Sequence, residues 1–228
     1  MNRLIRLFRT SIGSKLVVAA SGGLLVGFLF VHAAGNLLIL KGPGALNAYA
    51  DWMQGHPLLW GFRLGLLILF VAHIAMAVRL ARENRAARPQ RYRRIARLGA
   101  RLPGRLMVVS GMLLLAFLVF HLLHLTTRSV GPVVEPLLDG SGRVDVYGMI
   151  LVGFERPWMA AIYLFAMLLL GLHLVHAIES MLQTLGFNHD SYQTLVRVLA
   201  PLLSLLIVGG FAAVPLLVVS GAVGGAGG

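Results

Sequence analysis

Apolar residues in this chain gather into long uncharged runs separated by short polar connections, and no segment alternates apolar with polar positions. Five such runs occur, at 16–40, 58–80, 106–126, 158–182 and 198–219. The first holds 25 residues with His32 as its single ionisable side chain. About 20 residues at 1.5 Å rise cross the hydrocarbon of a bilayer, so each run predicts a transmembrane helix. A barrel is excluded, since it needs many short alternating strands. The first run is too long for a signal-peptide core, and no small-residue cleavage pattern closes it. The expectation is an all-α integral membrane protein, one five-helix domain over 1–220, followed by a disordered glycine-rich tail at 221–228. The connection at 129–156 mixes Gly, Pro and acids and has room for a short surface helix, while 188–197 reads as a short loop.

Composition sharpens this reading. Only 12% of residues are charged and 58% are hydrophobic, against about 25% charged in an average soluble domain, and the mean hydropathy is +0.83. There is no cysteine, which excludes disulfides, thiolate-bound iron–sulfur clusters, covalently attached c-type haem and a cysteine nucleophile. The net charge of +12 comes from 18 Arg and 2 Lys against 8 acids, and its placement is informative. Arg3, Arg6, Arg9 and Lys15 precede the first run. Arg79, Arg82, Arg85, Arg88, Arg91, Arg93, Arg94, Arg97, Arg101 and Arg105 lie between the second and third. The connections on the other side hold Lys41 in one, and Arg128, Arg143 and Arg156 among four acids in the other. The positive-inside rule then predicts a cytoplasmic N-terminus and an outside C-terminus. Arginine blocks also occur in nucleic-acid binders, but between two spans they serve topology and lipid headgroups, so no nucleic acid is expected.

Of eight histidines, His56 and His189 fall in connections, whereas His32, His73, His121, His124, His173 and His176 fall inside the first four spans. An imidazole in hydrocarbon is costly and normally has a partner or a function. One alone is as readily an interhelical hydrogen bond; one on each of four helices is a pattern. His32 lies 16 residues into its span, and His73, His121 and His173 lie 15 residues into theirs, about 22–24 Å from each start. Spans one and three run outward while two and four run inward. His32 and His121 therefore share a level near the outer face, and His73 and His173 one near the inner face, about 15 Å apart in a core of about 30 Å. Two facing imidazoles at one depth suit the axial positions of a b-type haem, whereas a bare metal ion usually takes three or four ligands. The prediction is a bundle of the first four helices around two bis-histidine b haems, one above the other.

An internal repeat bears on the choice of ligands. Ser21-Gly22-Gly23-Leu24-Leu25-Val26-Gly27-Phe28-Leu29-Phe30-Val31-His32 aligns without a gap on Ser110-Gly111-Met112-Leu113-Leu114-Leu115-Ala116-Phe117-Leu118-Val119-Phe120-His121. The match makes His121, not His124, the counterpart of His32, and predicts two similar hairpins. His124 and His176 each lie three residues further on, near the same helical face; an interhelical hydrogen bond and a contact to a haem propionate or quinone both remain open for them. Arg63 lies about 8 Å inside span two, where it either snorkels outward or pairs with a propionate of the outer haem. Arg79 and Arg82 are placed to do the same for the inner haem. Glu155 and Glu179 read as interfacial acids rather than proton relays.

At these residues the chain resembles a known family, the five-helix, di-haem cytochrome b subunits of succinate dehydrogenases and fumarate reductases of the succinate:menaquinone type. The resemblance covers essentially the whole chain. It is carried by Phe30-Val31-His32-Ala33-Ala34-Gly35-Asn36, Asn47-Ala48-Tyr49-Ala50 and Pro57-Leu58-Leu59-Trp60-Gly61-Phe62-Arg63. It continues through Ala72-His73-Ile74, Asn84-Arg85-Ala86-Ala87-Arg88-Pro89, Phe120-His121-Leu122-Leu123-His124, His173-Leu174-Val175-His176 and Gln183-Thr184-Leu185-Gly186. The resemblance implies His32 with His121 at the outer haem and His73 with His173 at the inner, the pairing that depth gives independently. It implies a multi-pass subunit of the bacterial inner membrane that anchors a cytoplasmic flavoprotein and an iron–sulfur subunit, and it leaves room for a higher oligomer of the whole complex. Electrons from succinate would pass through the partners' clusters and the two haems to membrane quinone, with menaquinone implied. The enzyme would be succinate dehydrogenase or fumarate reductase, a link between the tricarboxylic acid cycle and the respiratory chain, with no bond-making residue in this chain. Two other readings stay open: the di-haem cytochrome b of another quinone-linked dehydrogenase, and a haem-free transporter or channel with intramembrane histidines.

Overall fold

The structure is a computed structural model that describes residues 10–87, 102–132, 137–187 and 189–224. Arg3, Arg6, Arg9, Arg88, Arg91, Arg93, Arg94, Arg97, Arg101, Asn188 and the tail residues 225–228 lie outside the described residues. Among the described residues seven α-helices follow in order: α1 Ser11–Asn36, α2 Pro43–Gly55, α3 Leu59–Ala86, α4 Leu102–His121, α5 Val146–Phe154, α6 Pro157–Thr184 and α7 Asp190–Val219. A 3₁₀ segment Leu37–Lys41 extends α1, and a π-helical turn Leu122–Thr126 extends α4. Five stretches of the described residues are long and apolar enough to cross a membrane: Ser11–Lys41, Leu59–Ala86, Met107–Thr126, Pro157–Thr184 and Asp190–Val219. Each matches one of the predicted runs, the second and third starting one residue later than expected. α3 buries none of its residues, and Trp60 at its start is 74% exposed, an arrangement stable only where lipid rather than water meets the apolar side chains.

Two features depart from the sequence reading. The stretch 43–55, read as connection, is helical: Pro43 opens α2 with a preset φ and Gly42 before it takes φ 87°. Its mixed polarity hides it from a hydropathy pattern. The expected loop at 188–197 is corrected, since α7 already starts at Asp190, whose acid suits a helix N-terminus. Polar residues simply carry that helix past the apolar zone. Residues 221–224 of the tail form turns. Ala222 and Gly221 donate backbone hydrogen bonds to Leu217 and Val218 at 3.0 Å each, and Gly221 and Gly224 take positive φ. The short surface helix expected within 129–156 is α5, capped by Asp145, whose carboxylate accepts from Gly148 N.

Contacts divide the chain into two compact units, one of residues 1–28, 61–110 and 172–204, the other of 29–60, 111–171 and 205–228. Every long helix contributes to both. The first unit buries Ser14, Ala19, Ser21, Ser110, Ala200 and Ser204 alongside Leu174 and Ile178; small side chains let helices approach closely where lipid gives no hydrophobic drive between them. The second has a larger apolar core of Ile39, Leu46, Ile150, Phe154, Met159, Ala160, Tyr163 and Val214. There α2 packs on α5.

Candidate functional site

In the first unit, the histidines of α3 and α6 each rest on a serine from a neighbouring helix. Ser21 Oγ lies 3.2 Å from His73 Nδ1, and Ser110 Oγ lies 3.1 Å from His173 Nδ1. Both hydroxyls also donate to their own helix, Ser21 to the Val17 carbonyl at 2.6 Å and Ser110 to that of Met107 at 3.2 Å, the usual use of a serine proton inside a helix. Gly22 gives His73 its space: a Cβ there would stand 3.2 Å from the ring's Cε1. His173 lies within electrostatic reach of both His73 and His176. The first unit thus brings together His73, His173 and His176.

The second unit brings together His32, His121 and His124. The His32 and His121 rings have centroids 6.1 Å apart and are nearly perpendicular, at 81°. Phe211 of α7 lies 5.5 Å from His32, and Phe117 lies 6.0 Å from His121. Straight after His121 the helix widens into the π turn, with Thr127 N bonded to Leu122 O at 2.9 Å; such turns are frequent at functional sites. The widening places His124 where Tyr163 OH meets its Nδ1 at 2.9 Å and that of His121 at 3.4 Å. His124 is buried against Phe120, Phe154, Gly131 and Gly153. Between α4 and α6 an apolar cavity of about 220 Å³ is lined by Phe117, Phe120, Phe165 and Leu169 among others.

Tyr163 is the functional-site residue that sequence reasoning missed, although it is the single tyrosine within the five predicted runs. Glycines around His124 carry a testable consequence. Gly131 has φ 111°, and a Cβ on it would sit 2.7 Å from His124 Cδ2, whereas one on Gly153 would keep 3.3 Å from the ring. Gly131→Ala adds backbone strain of about 1–3 kcal/mol to that collision. It is expected to destabilise the detergent-solubilised protein by about 2–4 kcal/mol in equilibrium unfolding. Gly153→Ala, within a helix where alanine is favoured by up to about 1 kcal/mol, is expected to cost far less. Equal losses would contradict the enclosure of His124.

The predicted cations take varied positions. Arg63 and Arg82 are exposed on α3, and Arg79 Nε binds Glu83 Oε1 at 2.7 Å. Glu155 is exposed just after α5, and Glu179 is half-buried on α6. His56 and His189 cap local backbone, accepting from Leu58 N and Ser191 N at 3.2 Å each.

Among the described residues no group of three or more His, Cys, Asp or Glu could hold a bare metal ion. Pairs of imidazoles are what a macrocyclic iron needs, its other four positions being filled by the ring. Two imidazoles on opposite sides of one metal, each at about 2 Å, have centroids about 6 Å apart, and His32 and His121 stand at that spacing. The residues present fit a haem in the second unit by this spacing. In the first they fit one by the chemistry of a histidine pair with its Nδ1 atoms engaged. Compared with protein-family models, with curated proteins and with solved structures, the chain has no match.

Proposed function

We propose that the chain is a membrane-anchoring di-haem cytochrome b that carries electrons from a cytoplasmic flavoprotein and iron–sulfur pair to membrane quinone, as a subunit of a succinate:quinone oxidoreductase. The observation that carries this reading is the two histidine pairs, His73 with His173 and His32 with His121, each within one compact unit and each drawn from two long apolar helices. When bound, two b haems supply one-electron transfer. The chain's own part is to hold them by His Nε2 or Nδ1 atoms, surround them with apolar helix faces and exclude water. The cavity beside Phe117 and Phe120 offers an apolar quinone, menaquinone by the family resemblance, a place close to His121. Arginine placement supports a cytoplasmic N-terminus in a bacterial inner membrane. Lacking cysteine, the chain takes its electrons from clusters held by other subunits.

A dithionite-reduced minus oxidised spectrum of the purified chain tests the proposal, with a b-type signal and two haems per chain expected. Colourless protein would overturn it in favour of a haem-free transporter or channel. Copurification tests the substrate: a flavin-bearing partner and reduction of the haems by succinate are expected, and a di-haem chain with no such partner would sink the succinate assignment alone.

A further inference from the structure

We propose that Ser21 and Ser110 are positioning residues that fix the tautomer of His73 and His173, holding Nδ1 protonated so that Nε2 is the nitrogen offered to haem iron. This inference rests on the haem reading above and names what sets the ligands in its first unit.

A serine hydroxyl has one proton and two acceptor lone pairs. The Ser21 proton goes to the Val17 carbonyl, at 2.6 Å its shorter contact, which leaves a lone pair for His73 Nδ1 at 3.2 Å. With the hydroxyl proton committed to the Val17 carbonyl, the contact at His73 Nδ1 is an N–H that the ring donates to the serine oxygen. Ser110 is placed alike, 3.2 Å from the Met107 carbonyl and 3.1 Å from His173 Nδ1, and with its proton on that carbonyl it too offers the ring a lone pair. Both serines are only 4% exposed, so water does not compete for either contact. In a neutral imidazole with Nδ1 protonated, Nε2 carries the lone pair that binds metal. The N–H···O bond fixes ring orientation and raises ligand basicity, which favours the ferric over the ferrous state.

The internal repeat acquires a physical meaning here. Ser21 and His32 are separated by 11 residues, as are Ser110 and His121. Each of these helices thus supplies a hydroxyl acceptor to the first unit and a histidine to the second. His121 meets a phenol instead of a serine, since Tyr163 OH is its neighbour. Loss of the serines should therefore touch the first-unit haem alone.

The test is a potentiometric titration of the full chain in lipid nanodiscs, followed by the haem spectrum and by electron paramagnetic resonance. Ser21→Ala, Ser110→Ala and the double variant are compared with Ser→Thr at each site. The same set is made in the His32→Ala background, where the first-unit haem titrates alone. We expect the alanine variants to raise the midpoint potential of the first-unit haem and to weaken its retention by about 10-fold or more. The second-unit haem should be unmoved, and threonine should restore both properties. Unshifted potentials in a double variant that holds both haems would overturn the inference while leaving the haem reading standing. So would equal shifts in both haems, the mark of general loosening. A wild-type chain that binds no haem would overturn the reading and the inference together.

Discussion

Replacing His32 with alanine is expected to leave a folded protein with one b haem in place of two, and replacing His73 is expected to remove the other. The two histidine pairs belong to different compact units, and their hydrogen-bond partners differ, serines in the first and Tyr163 in the second. Removing one of two ligating imidazoles would leave a bound haem with a single protein bond. Loss of a mere supporting contact already costs about 10–100-fold in metal affinity, so loss of a ligand should empty its site at working concentrations. The pyridine haemochrome ratio of haem to protein should fall from two to one in each single variant and to zero in the double. His124→Ala is the control. Its Nδ1 is engaged by Tyr163 and its ring is packed among aromatic side chains and glycines, so its loss should lower stability and keep both haems. Loss of both haems in the His32 variant at unchanged helical content would refute two independent pairs. Loss of one haem in His124→Ala with retention in His121→Ala would transfer the ligand role along the π turn.

Much of this arrangement was open to a reader of the sequence because lipid imposes a simple rule. A span must be apolar for about 20 residues, so five runs were visible, and any imidazole inside them stood out against that background. Helical rise then turned sequence position into depth, and His32 fell beside His121 without any knowledge of contacts. The shared serine of the repeat was visible too, but not its use, since Ser21 finds His73 across 52 residues and Ser110 finds His173 across 63. Side-chain hydrogen bonds at such separations leave no local pattern. Tyr163 escaped for the same reason. The π turn after His121 is equally silent in the residues Leu122–Thr126, because apolar sequences fit either helical winding. α2 and the start of α7 were lost because hydropathy reports where the chain meets hydrocarbon and not where a helix ends.

A stability effect as large as that of Gly131→Ala should come from Asn47, a polar residue only 1% exposed in α2. Its Nδ2 donates to Asp145 Oδ1 at 2.8 Å, and its Oδ1 accepts from Tyr147 N at 3.0 Å. The same Asp145 oxygen accepts from Gly148 N at 2.9 Å and so caps α5. One amide thereby ties α2 to the start of α5, directly over the apolar core that holds Leu46, Ile150 and Tyr163. Asn47→Ala removes a charge-assisted bond of about 1.5–3 kcal/mol and a neutral one of about 1 kcal/mol, and it leaves the Tyr147 N–H without its acceptor. The expected loss is about 2–4 kcal/mol in equilibrium unfolding of the detergent-solubilised chain, with faster proteolysis in the 129–156 connection. Asn47→Asp is the sharper variant. It keeps the acceptor for Tyr147 N, yet it sets a carboxylate against Asp145 where an amide donor stood, so it should destabilise at least as much at neutral pH. If either variant unfolds within about 0.5 kcal/mol of the wild type, the range of an ordinary surface change, the tie between α2 and α5 does not hold this part of the protein together. If both fall as expected while haem content stays at two, α2 and α5 stabilise the second unit without taking part in holding the proposed haem.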